Sequence, residues 1–254
     1  LEEAGQAYSE ALRWDPANPN ARRNRGRLYL AAQQFSRALE DLNEAVRLAP
    51  TDAEAYAARG SAHLGLDRGD LAIHDFDLAL AMGFERAAVY NGRAAAYAKL
   101  GLHQKALQDY ARGIRLRLDD PAPYKNRGLL YITLGRYRDA IEDFDQSLSL
   151  NPADPEAYLE RGFCFGQIGV FDRAIQDLTS ALKLDPANAR AYALRGAAHQ
   201  RLENHQAAVA DFSEALHRRP KDVKAYLARG ASYAALGELR LALEDRDQAV
   251  KLDP

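Results

Sequence analysis

The sequence predicts an all-α protein built from antiparallel helix pairs, and three observations carry this prediction. The first is a 34-residue period that runs through the prolines, tyrosines, glycines and alanines. It is unbroken in eight alanines: Ala4, Ala38, Ala72, Ala106, Ala140, Ala174, Ala208 and Ala242. The second is the helical spacing of apolar residues inside each period. The third is the lack of any sustained two-residue alternation, which predicts that there are no strands.

One period, from Ala153 to Pro186, illustrates how each unit gives two helices. In its first half, Tyr158 and the small residues that follow recur at helical spacing. Gly169 interrupts the pattern at the midpoint, and from Ala174 apolar residues recur at i, i+1, i+4, i+7 and i+8, as in an amphipathic helix. The second helix should end before Pro186, because a proline disfavours the helical conformation of the residue preceding it.

These units resemble the tetratricopeptide repeat, whose pattern is an aromatic residue, Gly and Tyr in the first helix, then Ala, an aromatic residue, Ala and Pro in the second. The matching residues of one unit are Tyr124, Gly128, Tyr131, Ala140, Phe144 and Pro152, and Ser147 stands where the family usually has Ala. The resemblance covers the whole chain. It implies a right-handed superhelical solenoid in one continuous domain, with residues 1–16 as the second helix of a partial repeat and residues 17–254 as seven repeats of 34 residues.

Composition excludes several classes of protein. The chain carries 34 Lys and Arg against 36 Asp and Glu, a balance that argues against binding to nucleic acid or a membrane surface. Its one Cys can form neither an intramolecular disulfide nor a zinc site of several thiolates. No apolar run approaches the roughly 18 residues that span a membrane. Since no phosphate loop, nucleophile elbow or HExxH motif is present, we predict no catalysis, cofactor or metal.

Two charged positions recur in all seven full units. The basic set is Arg25, Arg59, Arg93, Arg127, Arg161, Arg195 and Arg229. The acidic set is Asp41, Asp75, Asp109, Asp143, Asp177, Asp211 and Asp245. One interpretation is a basic ladder that reaches a ligand. The favoured one is an ion pair within each hairpin or between neighbouring hairpins, because a guanidinium can bind a carboxylate through two hydrogen bonds.

The resemblance also implies that the first helices line a concave groove where ligands bind. Carrying the groove positions over predicts partner contacts at Arg23, Arg27, Lys125, Leu129, Ile132, Leu159 and Phe163. The last four would form an apolar patch at the centre of the contact, and the two arginines would meet an acidic flank of the partner. The alternative for the patch is that neighbouring side chains bury it.

The predicted function is therefore a protein-interaction scaffold or adaptor that holds a peptide or a helix. The alternative is a non-catalytic regulatory or targeting module of a larger enzyme or assembly, and nucleic-acid binding is less favoured. Because the chain begins inside a second helix and without Met, we expect it to be a fragment of a longer protein. Irregular turns around Gly83 and Pro121 predict local differences without a domain break.

Overall fold

The computed structural model describes the backbone of residues 2–253 and the side chains of residues 3–253, and within them the all-α prediction is confirmed. These residues form fifteen helices and no strand. The helices are α1 (Glu2–Trp14), α2 (Pro19–Ala31), α3 (Phe35–Leu48), α4 (Ala53–Gly65), α5 (Gly69–Ala81), α6 (Ala87–Lys99), α7 (His103–Leu116), α8 (Pro121–Thr133), α9 (Tyr137–Leu150), α10 (Pro155–Gln167), α11 (Phe171–Leu184), α12 (Ala189–Arg201), α13 (His205–Arg218), α14 (Val223–Ala235) and α15 (Leu239–Leu252). After α1, each even-numbered helix is the first and each odd-numbered helix the second of a hairpin.

The chain groups into two compact units, Leu1–Pro123 and Tyr124–Pro254. The first unit contains α1 and the hairpins α2–α3, α4–α5 and α6–α7. The second contains most of α8, then α9 and the hairpins α10–α11, α12–α13 and α14–α15. One continuous domain stays a prediction, and the two ends of the predicted array, Leu1 and Pro254, lie outside the described residues.

The start of most first helices is fixed by a side chain that accepts hydrogen bonds from the first turn. These N-cap residues are Asn18, Asp52, Asp154, Asn188 and Asp222. Such caps satisfy amide groups that have no partner inside the helix. The helix α6 follows Gly83, which has a φ of +82°, and its N-cap residue Arg86 makes no side-chain cap bond. The turn between α5 and α6 thus differs locally from the other turns before first helices, as the sequence predicts.

Close approach of the two helices in a hairpin depends on the repeated glycine of the first helix. A Cβ added at Gly60 would lie 3.0 Å from the ring of Phe76, and one at Gly128 would lie 3.1 Å from the ring of Phe144. Both rings are fully buried, as are the repeated alanines Ala72 and Ala140. A side chain at the glycine positions would force these rings aside in a close-packed interior.

The ion-pair interpretation of the two charged positions is confirmed in all seven hairpins. Each arginine donates two hydrogen bonds of 2.6–2.9 Å to the aspartate sixteen residues later, which lies on the second helix of the same hairpin. All seven aspartates are buried. The remaining guanidinium nitrogen of Arg93 and Arg161 also reaches the preceding hairpin, at Asp77 (2.5 Å) and Asp145 (2.6 Å). The arginines therefore join helices, and their charge is not displayed to a ligand.

A second repeated feature is a left-handed residue in the turn inside each hairpin. Four of these residues are glycines with φ between +70° and +81°: Gly101, Gly135, Gly169 and Gly237. The other three have side chains and φ between +56° and +59°: Gln33, Asp67 and Glu203. The left-handed conformation is unfavourable for a residue with a Cβ, so these three positions store backbone strain.

We expect Glu203→Gly to raise the free energy of unfolding by about 0.5–1 kcal/mol, because it relieves this strain at an exposed turn. The opposite kind of change at another left-handed turn residue, Gly135→Ala, should lower the free energy of unfolding by about 1 kcal/mol. Urea unfolding followed by circular dichroism measures both changes. A loss of stability in Glu203→Gly would contradict the assignment of strain.

Candidate interaction surface

The first helices of successive hairpins contact one another directly, which brings their outward-facing residues together. The contacting pairs are α2 with α4, α4 with α6, α10 with α12 and α12 with α14. We call the outward residues of the first helices, α8 included, the first-helix surface, and each unit has its own. The predicted partner contacts all lie on first helices, with Arg23 and Arg27 in the first unit and the other five in the second.

Arg23 and Arg27, predicted to meet acidic residues of a partner, already have acidic partners inside the chain. Arg23 donates a 2.6 Å hydrogen bond to Asp52, the residue that caps α4, and its Nε lies 3.6 Å from Glu54. Arg27 also pairs with Glu54. The sequence could not exclude these pairs, because the acidic partners are 27–31 residues away and belong to the next hairpin. An acidic residue of a partner would therefore compete with carboxylates already present.

Lys125 repeats this arrangement in the second unit. Its Nζ lies 3.0 Å from Asp154, the residue that caps α10, and 2.9 Å from Glu156. Burial opposes the charge of the ammonium group, but the hydrogen bonds that it donates to Glu156 and Asp154 outweigh this effect and raise the pKa of Lys125. Lys125 thus joins two first helices, and its charge is balanced within the chain.

The four predicted apolar contacts differ in exposure. Leu159 is only 6% exposed and belongs to a core cluster with Leu178, so the prediction of a four-residue exposed patch is wrong at this position. Side chains of α11 in the same hairpin and of α12 in the next bury it, as the alternative interpretation stated. Leu129, Ile132 and Phe163 are half-buried. These three residues remain available for contact, and we call them the apolar patch.

Phe163 is held in place by two neighbours. Its ring packs edge-to-face against Tyr137, with the ring centroids 6.1 Å apart and an interplanar angle of 83°. The guanidinium of Arg190 lies 5.6 Å from the ring centroid and is itself paired with Glu160. These contacts fix the orientation of the ring and leave it half-exposed.

Beside Phe163 lies a depression of about 250 Å³ that the sequence did not predict. It is formed by α10, α11 and α12, and Gly166, Gln167 and Arg201 line it together with Phe163. A similar depression of about 240 Å³ in the first unit includes Arg27, Phe84 and Arg86. The sequence signal for the depression beside Phe163 is Gly166. It occupies a slot where the other hairpins carry a side chain: Leu30, Leu64, Ala98, Ile132, Gln200 and Ala234.

Potential metal ligands do not cluster among the described residues. These residues contain no group of three or more His, Cys, Asp or Glu that could hold a metal. Cys164 is fully buried, and burial raises the pKa of its thiol to about 12, which disfavours the reactive thiolate. His63 is also buried, and desolvation lowers its pKa. Among the helices of residues 2–253, none combines the length and apolarity needed to cross a membrane.

The geometry defines a repeat protein of stacked helical hairpins with a surface on its first helices. Models of the tetratricopeptide repeat match residues 1–62, 121–154 and 194–254, and a model described as a TPR repeat matches residues 167–203. The chain belongs to the tetratricopeptide repeat family. None of these models describes a catalytic family. No curated protein sequence matches the chain.

Solved structures agree with the fold. The C-terminal part of a TPR repeat-containing protein from Cytophaga hutchinsonii aligns with a TM-score of 0.75 at 17% identity, covering 91% of this chain and 95% of that one. PilF of Pseudomonas aeruginosa gives 0.71 at 22% identity, with 85% and 96% covered. MamA from Desulfovibrio magneticus RS-1, residues 41 to the end, gives 0.63 at 24% identity, with 66% and 94% covered. At these identities the likeness concerns the fold alone.

Proposed function

We propose that this chain is a protein-interaction scaffold or adaptor that binds a peptide or a helix of a partner on the first-helix surface of its second unit. The observation that carries the proposal is the apolar patch of Leu129, Ile132 and Phe163, which stays half-exposed on adjacent first helices. Contiguous exposed apolar surface commonly marks an interaction site. Membership of a family whose common property is protein binding supports the same function.

The chemistry of the surface suits an extended segment or an amphipathic helix. Lys125 and its two carboxylate partners lie at one side of the patch and give it a polar rim. Interfaces typically combine an apolar centre with such a rim. Binding of an acidic partner segment by Arg23 and Arg27 is a separate part of the proposal that concerns the first unit, and such a segment must displace Asp52 and Glu54 from these arginines.

A second candidate is that the chain serves as a regulatory or targeting module of a larger enzyme or assembly. A regulatory module would use the same first-helix surface. It differs from a free scaffold only in that its partner is part of the same assembly. The full-length gene distinguishes the two.

We expect Phe163→Ala to weaken partner binding by about 1–3 kcal/mol, the usual loss for an apolar interface anchor. The measurement is titration calorimetry with a peptide selected from a displayed random library against the intact chain. The fold should tolerate the change, since Phe163 is half-buried and lies outside the repeated packing positions.

Trp14→Ala is the matched control, because Trp14 is an aromatic residue that is 84% exposed at the end of α1 and belongs to the first unit. Its substitution should leave affinity unchanged. Equal affinities for Phe163→Ala and the wild type, with circular dichroism unchanged, would contradict the proposed surface.

A further inference from the structure

The depression beside Phe163 has the dimensions of a side-chain pocket. Its volume is about 250 Å³, below the range of roughly 300–1,000 Å³ typical of small-molecule sites. The rings of Phe163 and Phe171 and the side chains of Leu178 and Leu194 supply apolar walls. Leu178 is 1% exposed, so this wall belongs to the rigid core. A single bulky apolar side chain matches this space and lining.

Gly166 creates the pocket. A Cβ added at this position would meet no atom within 4 Å, so the space in front of it is open. In contrast, the repeated glycine Gly162 on the same helix would bring a Cβ to 2.9 Å from Leu178. Packing therefore requires a glycine at position 162 but not at position 166. On the next helix, Gln200 donates hydrogen bonds to the Ala228 carbonyl (2.7 Å) and the Ser232 hydroxyl (2.8 Å), which fixes that side of the pocket.

The rim of the pocket carries a free positive charge at Arg201. Its guanidinium lies 4.9 Å from the centroid of the Phe171 ring. Among the described residues no carboxylate pairs with it, whereas Arg190 nearby is paired with Glu160. A guanidinium stacked on an aromatic face keeps its N–H groups directed outward in the plane, where they can bind a carboxylate through two hydrogen bonds.

We infer that this pocket binds a partner segment through one bulky apolar side chain, with an Asp or Glu of the same segment paired to Arg201. The inference rests on the proposed function and specifies the chemistry of its ligand. The apolar anchor gains by leaving water in a preformed pocket, and the carboxylate selects segments of the right charge and orientation.

The test uses the intact chain and a displayed library of random 12-residue peptides as the probe. Selected peptides should contain Leu, Ile, Met or Phe with an acidic residue within four positions. Gly166→Leu fills the pocket and should weaken the best peptide at least tenfold. Ala98→Leu is the matched control, because it adds the same side chain at the equivalent slot of α6 in the first unit and should change affinity less than twofold.

Reversing the charge of Arg201 tests the rim of the pocket separately from its apolar walls. Arg201→Glu should weaken the acidic peptide at least fivefold and should favour the same peptide with Lys in place of its acidic residue. Arg219→Glu, which reverses an exposed charge outside the pocket, should do neither.

The outcomes distinguish failure of the pocket inference from failure of the proposed function. If no peptide binds the wild type, both this inference and the proposed function are wrong. If peptides bind and Phe163→Ala weakens them, but Gly166→Leu and Arg201→Glu do not, only the pocket inference is overturned. Circular dichroism of Gly166→Leu verifies that the variant is folded.

Discussion

Phe144→Ala should lower the free energy of unfolding by about 4 kcal/mol, the largest effect that we expect from one substitution in this chain. Phe144 is fully buried, and its ring packs against Gly128 on the first helix and joins the core cluster that includes Leu148 and Cys164. Truncation would remove the contacts of the whole ring and leave a cavity that the helices cannot close. Urea unfolding followed by circular dichroism measures the loss, and hydrogen exchange locates it.

The control is Phe144→Leu, because the equivalent position of the next hairpin is naturally Leu178. This change should cost less than about 1.5 kcal/mol. In a repeat array a local loss spreads mainly to neighbouring hairpins, so protection from exchange should fall first around α8 to α11. A loss below 1 kcal/mol for Phe144→Ala would show that the hairpin repacks and does not depend on the ring.

Asp75→Ala should lower the free energy of unfolding by about 3 kcal/mol. Asp75 is 1% exposed and accepts two 2.7 Å hydrogen bonds from Arg59. Its removal would leave the Arg59 guanidinium partly buried without its carboxylate, and that desolvated charge accounts for most of the cost. Thermal and urea unfolding both measure the effect.

Asp77→Ala provides the matched control, since it removes the same side chain from the same helix. Asp77 is paired with Arg93, but its side chain is 50% exposed, so its loss should cost less than about 1 kcal/mol. The double variant Arg59→Met with Asp75→Leu should recover most of the stability, because no unpaired charge remains. Equal effects of Asp75→Ala and Asp77→Ala would contradict the role of burial in these pairs.

The fold followed from the sequence because every hairpin repeats the same local information. Helical spacing, a turn residue such as Gly169 and a cap such as Asp154 act within one or two turns of chain, and their recurrence after 34 residues removes the ambiguity of a single segment. The charged positions were predictable as pairs for the same reason. Whether a pair such as Arg161 with Asp177 lies within one hairpin or between two required the structure, which shows both contacts for this arginine.

The candidate site depended more strongly on tertiary structure. The sequence by itself determined the repeat and the helix pairs. Only the tertiary structure decided that Leu159 is buried, that Arg23 is paired with Asp52, and that a pocket opens in front of Gly166. Exposure and free charge at a groove position are set by side chains about 30 residues away on the neighbouring hairpin, and side-chain packing between hairpins follows no short-range rule in the chain.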